Sequence, residues 1–533
     1  MGRAVICDIF RRRSIRRHRH LPETAPLNRI SHVRNVLVSW GAFVISALAG
    51  LFLSPFVVKS LGTSGFGVWV IVTSLTGSLN FLDLGVRSAV IRFVAREHAR
   101  GDHTAASRFV ATARLLLLGA GALVLLASAG FAVGLEHWFT IPAPLVNEAR
   151  LVLILSALTL ALVLSNGVLA GTISGLQRLD VIGLTDAALE LARIGLILAA
   201  LSAGGGLLGL VTVGLVLALA RTVVFRHYAR RLYPELQPQL RRPTREDVVA
   251  ILSVSAYSTL IYSAVGAVNQ LSAIIIGAAL PTAMVAYYSI GATLPIYAAA
   301  LNRPIAQTVH PRASRLDALG DADGLRTMIL DTARYSALVL LPLVLTFVLR
   351  GRTFIGVWMG DEFREPSGNV LAVLSLGIVL NGTRHVMQAA FFGSGRHKSL
   401  APWYLGEAAI TIALTAAVVV PFGIEGAAWA AVVPGAVVTL GVFPVLAQRG
   451  FGIGPARLVG HTLLRPLAAM LPFAFVLYVM DARVTASGYV SFFAQVAAAL
   501  PVAILGAWTI GLRADERIAA TAAIRRRLAR GGT

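Results

Sequence analysis

The chain has 533 residues, of which 56% are hydrophobic and 14% are charged, and its mean hydropathy is +0.76. Such a composition excludes a water-soluble globular protein, in which about 45–50% of residues are apolar. The net charge of +22 would suit nucleic acid, but the basic residues are spread over the gaps between apolar stretches. The composition therefore predicts an all-α polytopic membrane protein with no nucleic-acid partner.

About fourteen apolar stretches are long enough to cross a bilayer, for which a helix needs roughly 20 apolar residues. The period-2 alternation of a membrane β-barrel is absent. Cys7 is the only cysteine, which excludes an intramolecular disulfide and a cysteine-based metal site. The predicted spans lie near 36–58, 67–88, 113–135, 150–170, 187–204, 207–226, 250–279, 284–303, 333–350, 370–392, 402–420, 424–447, 463–480 and 490–511.

Basic residues mark every second gap between these stretches. Nine lie in the tail before the first stretch, six from Arg87 to Arg114 and six from Arg226 to Arg245, whereas the gaps after the fifth and seventh stretches hold none. Basic loops stay in the cytoplasm. We therefore expect an even number of spans and both termini in the cytoplasm. Only Lys59 and Lys398 are lysines, against 45 arginines, which with the abundance of alanine and glycine suggests a GC-rich bacterial genome, and so a place in the bacterial inner membrane. Arginine-rich tails next to a membrane also make anionic lipids an expected partner.

The second half of the chain repeats the first at an offset of about 219 residues. The segment LGTSGFGVW at 61–69 aligns with LPTAMVAYY at 280–288, and Gly101-Asp102 aligns with Gly320-Asp321. Matches in polar loops at one offset indicate two like-folded six-helix lobes, with the substrate path between them. The predicted domains are a basic tail at 1–35, the first lobe at 36–226, a basic linker at 227–249, the second lobe at 250–447, two extra helices at 448–511, and a basic tail at 512–533.

Several motifs together resemble the polysaccharide transporter (Wzx-type flippase) family of the MOP superfamily. They are LGTSGFGVW, the segment SLTGSLNFLDLGVRSAVIRFVAREHARGD at 74–102, the region around Pro311, and GSGRHKS at 393–399. The resemblance covers roughly 36–450. It implies two lobes in a V that rock between inward-open and outward-open states, and a cargo of undecaprenyl-pyrophosphate-linked oligosaccharide. One departure is Asn269-Gln270, where many relatives of the family carry an acidic residue in the seventh span.

Two charged pairs lie at or within spans of the first half. A charge at the bilayer centre costs ~2.5–3.5 kcal/mol on insertion scales, so such residues pair with one another or face a cavity. Asp83 and Arg87 are four residues apart at the end of the second span and share one helical face. They are either an interfacial ion pair or a gate and phosphate contact. Glu190 and Arg193 in the fifth span either satisfy each other or face the cargo, with a role in coupling.

Four polar residues of the tenth span recur at spacings of three and four, and so form a stripe along one helical face. They are Asn381, Arg384, His385 and Gln388. Because arginine suits bidentate phosphate binding, we expect the stripe to line the cavity, the alternative being a polar contact between helices. We also predict that Arg384 and His385, with Arg87, give the cavity a positive potential that holds the pyrophosphate.

Polar residues of two other spans are further candidates. Asn269 and Gln270 in the seventh span would contact sugar hydroxyls or form hydrogen bonds between helices. Glu407 in the eleventh span is a candidate proton carrier for coupling.

The function predicted from these observations is a flippase for cell-surface polysaccharide biosynthesis. The alternative is a MATE-type cation-coupled exporter of small molecules, which would leave the last two spans unexplained. A membrane enzyme such as a polymerase would need sizeable outer loops, but the gaps at 204–206 and 280–282 are short. With no catalytic triad, phosphate loop or metal-spaced histidines, we expect no enzyme activity, cofactor or metal. A monomer is expected, and the polysaccharide assembly machinery is a candidate partner.

Overall fold

The computed structural model of the protein describes residues 29–83, 85–237 and 243–530, which form helices joined by short turns and no β-strand. The all-α fold expected from the composition is confirmed. The predicted basic tail up to residue 28, part of the predicted linker at 238–242, and the last three residues lie outside the described residues.

The helices of the first half precede residue 237, and those of the second half and the C-terminal region follow residue 243. The first half contains α1 (Arg29–Ser78), α2 (Val86–Arg100), α3 (His103–Val133), α4 (Val146–Gly175), α5 (Leu179–Ser202) and α6 (Gly206–Leu232). The second half contains α7 (Arg245–Ala279), α8 (Thr282–Ala300), α9 (Arg303–Ala318), α10 (Ala322–Met359), α11 (Asp361–Gly393), α12 (Ala401–Val437) and α13 (Phe443–Phe451). The C-terminal helices are α14 (Pro455–Arg483), α15 (Tyr489–Gly511) and α16 (Ala514–Arg530).

Two of the long helices are interrupted by a glycine. In α1 the backbone at Gly62 has φ 71° and ψ 166°, and in α12 the backbone at Gly423 has φ 61° and ψ −151°. Glycine adopts such angles readily because it has no Cβ, whereas other residues are strained there. Each interruption falls between two of the spans that the sequence predicts.

Among the described residues, eleven helices are long and apolar enough to cross a membrane. The helix α5 is not one of them, because its apolar part also carries Asp186, Glu190 and Arg193. A count of fourteen spans would follow if α1 and α12 each crossed twice and α5 crossed as well. The predicted number therefore stays a prediction.

The turns before α3 and α10, which the repeat aligns, have the same conformation. Gly101 has φ 72° and Gly320 has φ 69°. The following residues, Asp102 and Asp321, cap the next helix. Each carboxylate accepts a hydrogen bond of 2.8 Å from the backbone N–H three residues later in the chain. An Asp at this position satisfies an N–H that the first turn of a helix leaves free. The same sequence pair thus folds into the same cap at both places.

The two halves pack together along the second part of α1. Its residues Val68 and Ile71 are fully buried in one cluster with Ile276 of α7 and Val285 of α8. At Gly67 a side chain would overlap the backbone carbonyl of Thr282, so the helices approach as closely as a glycine allows.

Helices α14 to α16 are held against α10 by two buried arginines. Near one end of α10, the fully buried Arg334 forms ion pairs with Asp331 and with Glu516 of α16. Sixteen residues further along the same helix, the buried Arg350 lies 3.3 Å from Asp481 of α14. The C-terminal helices are therefore attached at both ends of α10.

Candidate functional site

A cavity of about 930 Å³ lies within the second half, enclosed by α7, α8, α9, α11 and α12. Its wall mixes small apolar residues with side chains that carry hydroxyl, amide, imidazole and aromatic groups. The polar and aromatic residues of the wall are Tyr262, Asn269, Ser272, Tyr288, His310, Asn381, Arg384, His385, Gln388, Phe392, Tyr404 and Glu407.

The polar stripe of the tenth predicted span lies on α11, and all four of its residues line this cavity. Their spacing places them on one side of the helix, so that α11 presents its apolar residues to the neighbouring helices. The His385 ring is bonded through Nδ1 to the carbonyl oxygen of Asn381 at 2.8 Å, which fixes its orientation within the stripe.

An ion pair between Arg384 and Glu407 lies on the cavity wall. The Nη1 atom of Arg384 is 2.7 Å from both carboxylate oxygens of Glu407. The two side chains are only 7% and 12% exposed. The guanidinium also lies over the ring of Tyr404, 4.6 Å from its centroid, and the Tyr404 hydroxyl donates to Gln388 Oε1 at 3.1 Å. These contacts join α11 and α12 through one polar network.

The charge of this cavity differs from the sequence expectation. Arg384 was expected to supply positive potential, but Glu407 balances its charge in direct contact. Glu407, the candidate proton carrier, is itself the ion-pair partner of Arg384 in this structure. The lining therefore carries one balanced ion pair and is otherwise rich in hydrogen-bonding groups.

Of the other predicted site residues, Asn269 belongs to the cavity wall, and the rest lie apart from the cavity. Asp83 and Arg87 lie against Gly167 of α4. Glu190 and Arg193 form an ion pair of 2.6 Å with each other on α5. The amide of Gln270 faces α1, where a side chain at Gly77 would touch it. The structure thus gathers six of the predicted residues in one place: Asn269, Asn381, Arg384, His385, Gln388 and Glu407.

A further ion pair of the first half was not predicted from the sequence. Asp186 of α5 lies 2.7 Å from Arg221 of α6. Arg221 lies within the sixth predicted span at 207–226, and α6 includes it. Arg87 interacts electrostatically with Asp186 as well as with Asp83. Arg87 and Arg221 of the first half therefore also lie near carboxylates.

Tyr262, one to three turns before Asn269 and Gln270, was a candidate sugar contact and lies in the cavity wall, whereas three other hydroxyl residues of the wall were not predicted. Ser272, Tyr288 and Tyr404 stand in apolar stretches, where they carry no charge to mark them. Within the described part of the chain, no three His, Cys, Asp or Glu side chains come together in a way that would hold a metal ion.

Comparison with known protein families gives a match over more than half of the chain. The family described as "Polysaccharide biosynthesis protein" matches residues 32–317. A putative O-antigen transporter of Shigella flexneri is 22% identical over 414 residues, which cover 75% of this chain and 94% of the relative. The uncharacterized membrane protein EpsK of Bacillus subtilis is 22% identical over 325 residues, covering 60% of this chain and 64% of EpsK.

Solved structures share the fold. The lipid II flippase MurJ in an inward closed conformation superposes with a TM-score of 0.67 at 8% identity, covering 89% of this chain and 98% of MurJ. A multidrug resistance MATE transporter of the MOP superfamily in an inward-facing conformation gives 0.66 at 15% identity, covering 76% and 94%. The MOP-type fold expected from the sequence resemblance is confirmed.

Proposed function

Because the chain belongs to the polysaccharide biosynthesis protein family, we propose that it moves an undecaprenyl-pyrophosphate-linked oligosaccharide across the cytoplasmic membrane by alternating access. Its family, its relatives and its fold agree on a polytopic membrane transporter. The cargo is the proposed part. It is supported by similarity to the putative O-antigen transporter along nearly the whole of that protein.

The observation that carries the proposal is the chemistry of the cavity wall. Amides, hydroxyls and aromatic rings surround one internally balanced ion pair. A sugar offers many hydroxyls and no charge, so it can replace water at such groups without leaving a buried charge unpaired. The volume of about 930 Å³ is near the upper end of ordinary ligand pockets, which span roughly 300–1,000 Å³.

The proposed architecture is two six-helix lobes, at 36–226 and 250–447, followed by two extra spans. The identical caps at Asp102 and Asp321 support a repeat. In this arrangement the cavity belongs to the second lobe and would open toward the first during the cycle. Glu407 would take part in coupling if the Arg384 contact broke and re-formed between states.

A second candidate function is a cation-coupled exporter of small molecules. The similar TM-score of the MATE transporter favours it, since the fold alone does not separate the two functions. The two candidates differ in cargo. An exporter would protect cells from toxic cations and would leave lipid-linked glycan unaffected.

The test is deletion of the gene in its own host and complementation with the wild-type chain. We expect lipid-linked oligosaccharide to accumulate at the inner leaflet of the mutant, surface glycan to fall, and both to recover on complementation. Unchanged glycan together with increased sensitivity to cationic drugs would overturn the flippase and favour the exporter.

A further inference from the structure

Three basic side chains lie at one end of the cavity, two on the turn between α11 and α12 and one on α9. We propose that His310, His397 and Lys398 form a binding site for a phosphoryl anion, which holds the pyrophosphate of the cargo while its sugars occupy the cavity. The proposal rests on the proposed function and assigns a place to the charged part of the cargo.

A line of stacked rings connects the turn to the cavity. The ring of His397 lies parallel to that of Phe392, at 6° and 4.8 Å between centroids. Phe392 in turn stacks on Tyr262, at 22° and 6.2 Å. Phe392, Tyr262 and His310 all belong to the cavity wall. The three basic groups therefore lie where the cavity meets the turn, and the His397 ring is held in place by its stacking.

These basic groups have no acidic partner within the described residues. Elsewhere in the same region arginines are paired, Arg396 with Asp317 at 3.0 Å and Arg326 with Asp323 at 2.8 Å. By contrast, burial, and after it the neighbouring Lys398 and His310, lower the pKa of the His397 imidazole. The Nζ of Lys398 lies 5.4 Å from the ring centroid of Tyr257. The Nδ1 atom of His397 is buried without a hydrogen-bond partner.

An anion at this place would have the Lys398 ammonium as its counter-charge and would favour the protonated form of His397, which burial and its basic neighbours otherwise disfavour. A phosphoryl group suits the site because lysine offers three donors from a compact charge, and imidazole adds directed N–H donors. Lys398 is one of only two lysines among 47 basic residues, so an ammonium group is rare in this chain. The carboxylate of an acidic sugar suits the basic site less well than a phosphoryl group, because the sugars are proposed to occupy the cavity and not the turn.

The spacing along α11 suits a cargo bound at both places. Phe392 and Arg384 are eight residues apart, which corresponds to roughly 12 Å along a helix. Sugars that follow a pyrophosphate at the turn would therefore reach the polar network of Arg384 and Tyr404. Anionic phospholipid headgroups carry the same phosphoryl chemistry, and the experiment must separate them from the cargo.

The experiment measures binding of inorganic pyrophosphate to the purified full chain in phosphatidylcholine nanodiscs. We expect Lys398→Gln to raise Kd by about ten-fold or more, as the loss of a charged hydrogen bond would, and His397→Gln to raise it as well. Lys59→Gln is the matched control. It removes the only other lysine, which is exposed on α1 near Gly62, and it should leave Kd unchanged. Because Lys398 is also exposed, its substitution should spare folding, and the thermal unfolding midpoint checks this.

Equal Kd values for the wild type, Lys398→Gln and Lys59→Gln would overturn the site. A second set of nanodiscs containing phosphatidylglycerol identifies the source of the anion. If wild-type affinity for pyrophosphate falls there, and native mass spectrometry shows bound phosphatidylglycerol that Lys398→Gln loses, the ligand is the lipid and the cargo assignment is overturned. Glycan transport in cells is a separate readout. Transport that fails with gene deletion but persists in Lys398→Gln refutes this site and leaves the proposed function intact.

Discussion

The Arg384–Glu407 pair responds differently to the loss of one partner and to the loss of both. Arg384→Met would leave the Glu407 carboxylate, only 12% exposed, without a counter-charge, and removal of one member of a buried pair costs about 3–5 kcal/mol. In the double variant Arg384→Met/Glu407→Gln no charge remains unpaired. We expect the single variant to lower the thermal unfolding midpoint in detergent, and the double variant to recover most of it.

Transport separates the two roles that this pair could have. If the polar network binds the sugar, the double variant should be stable and still fail to restore surface glycan in the deletion strain. Normal transport by the stable double variant would mean that the pair is structural and that the cavity wall at α11 does not bind the cargo. A double variant as unstable as the single one would mean that the two charges are not coupled.

At the scale of elements, α16 is attached to α10 by Glu516 and by an ion pair of 3.0 Å between Arg513 and Asp331. Burial alone would raise the pKa of Glu516, but hydrogen bonds from the Tyr335 hydroxyl and the Arg513 backbone, with the charges of Arg334 and Arg513, hold it below its ordinary value of 4.5. A carboxylate with a lowered pKa in the folded state stabilises that state above pH 4.5 and loses the contribution as the pH falls through the folded-state pKa.

We therefore expect the unfolding midpoint of the wild type to fall as the solution is acidified below about pH 4.5, the ordinary carboxyl range. Glu516→Gln should be less stable at neutral pH and should lose part of this acid dependence. Glu246→Gln is a suitable control, because this exposed carboxylate in the first turn of α7 is far along the chain from the attachment. Identical acid dependence in the wild type and Glu516→Gln would contradict the role of Glu516.

The elements also show where sequence reasoning was limited. Apolar length located α4 and α6 to within about six residues at each end. The helix α3 begins at His103, ten residues before the predicted start at 113. The helix α5 begins at Leu179, eight residues before the predicted start at 187. Its first turns carry charges that pair with Arg178 and Arg221. A hydropathy pattern assigns such charged residues to a loop, because it carries no information about the neighbouring side chains that neutralise them.

At the scale of the whole molecule, the stripe on α11 was predictable and the balance of charge in the cavity was not. The spacing of residues along one helix can be read from the sequence, and it predicts one shared face for Asn381, Arg384, His385 and Gln388. The contact with Glu407 joins residues 23 positions apart on different helices. It depends on how α11 and α12 pack, which a single sequence does not specify. The same limit applies to the cavity's place inside the second half.

The orientation of the molecule in the membrane is a prediction that depends on basic residues along the whole chain. Basic residues concentrate at one predicted face. The turn at 204–206 is short, and the positive φ at Gly204 and Gly206 favours glycine there. If positively charged loops remain inside, topology reporters fused at Gly205 and Gly488 should report the periplasm, and a fusion at Ser399 should report the cytoplasm. Each site lies between two helices, so the fusions leave the spans intact. A cytoplasmic signal at Gly205 would mean that α5 does not cross the membrane. The number of spans would then be odd or the helices after α6 inverted, and the basic turn at Lys398 could not meet a cargo made in the cytoplasm.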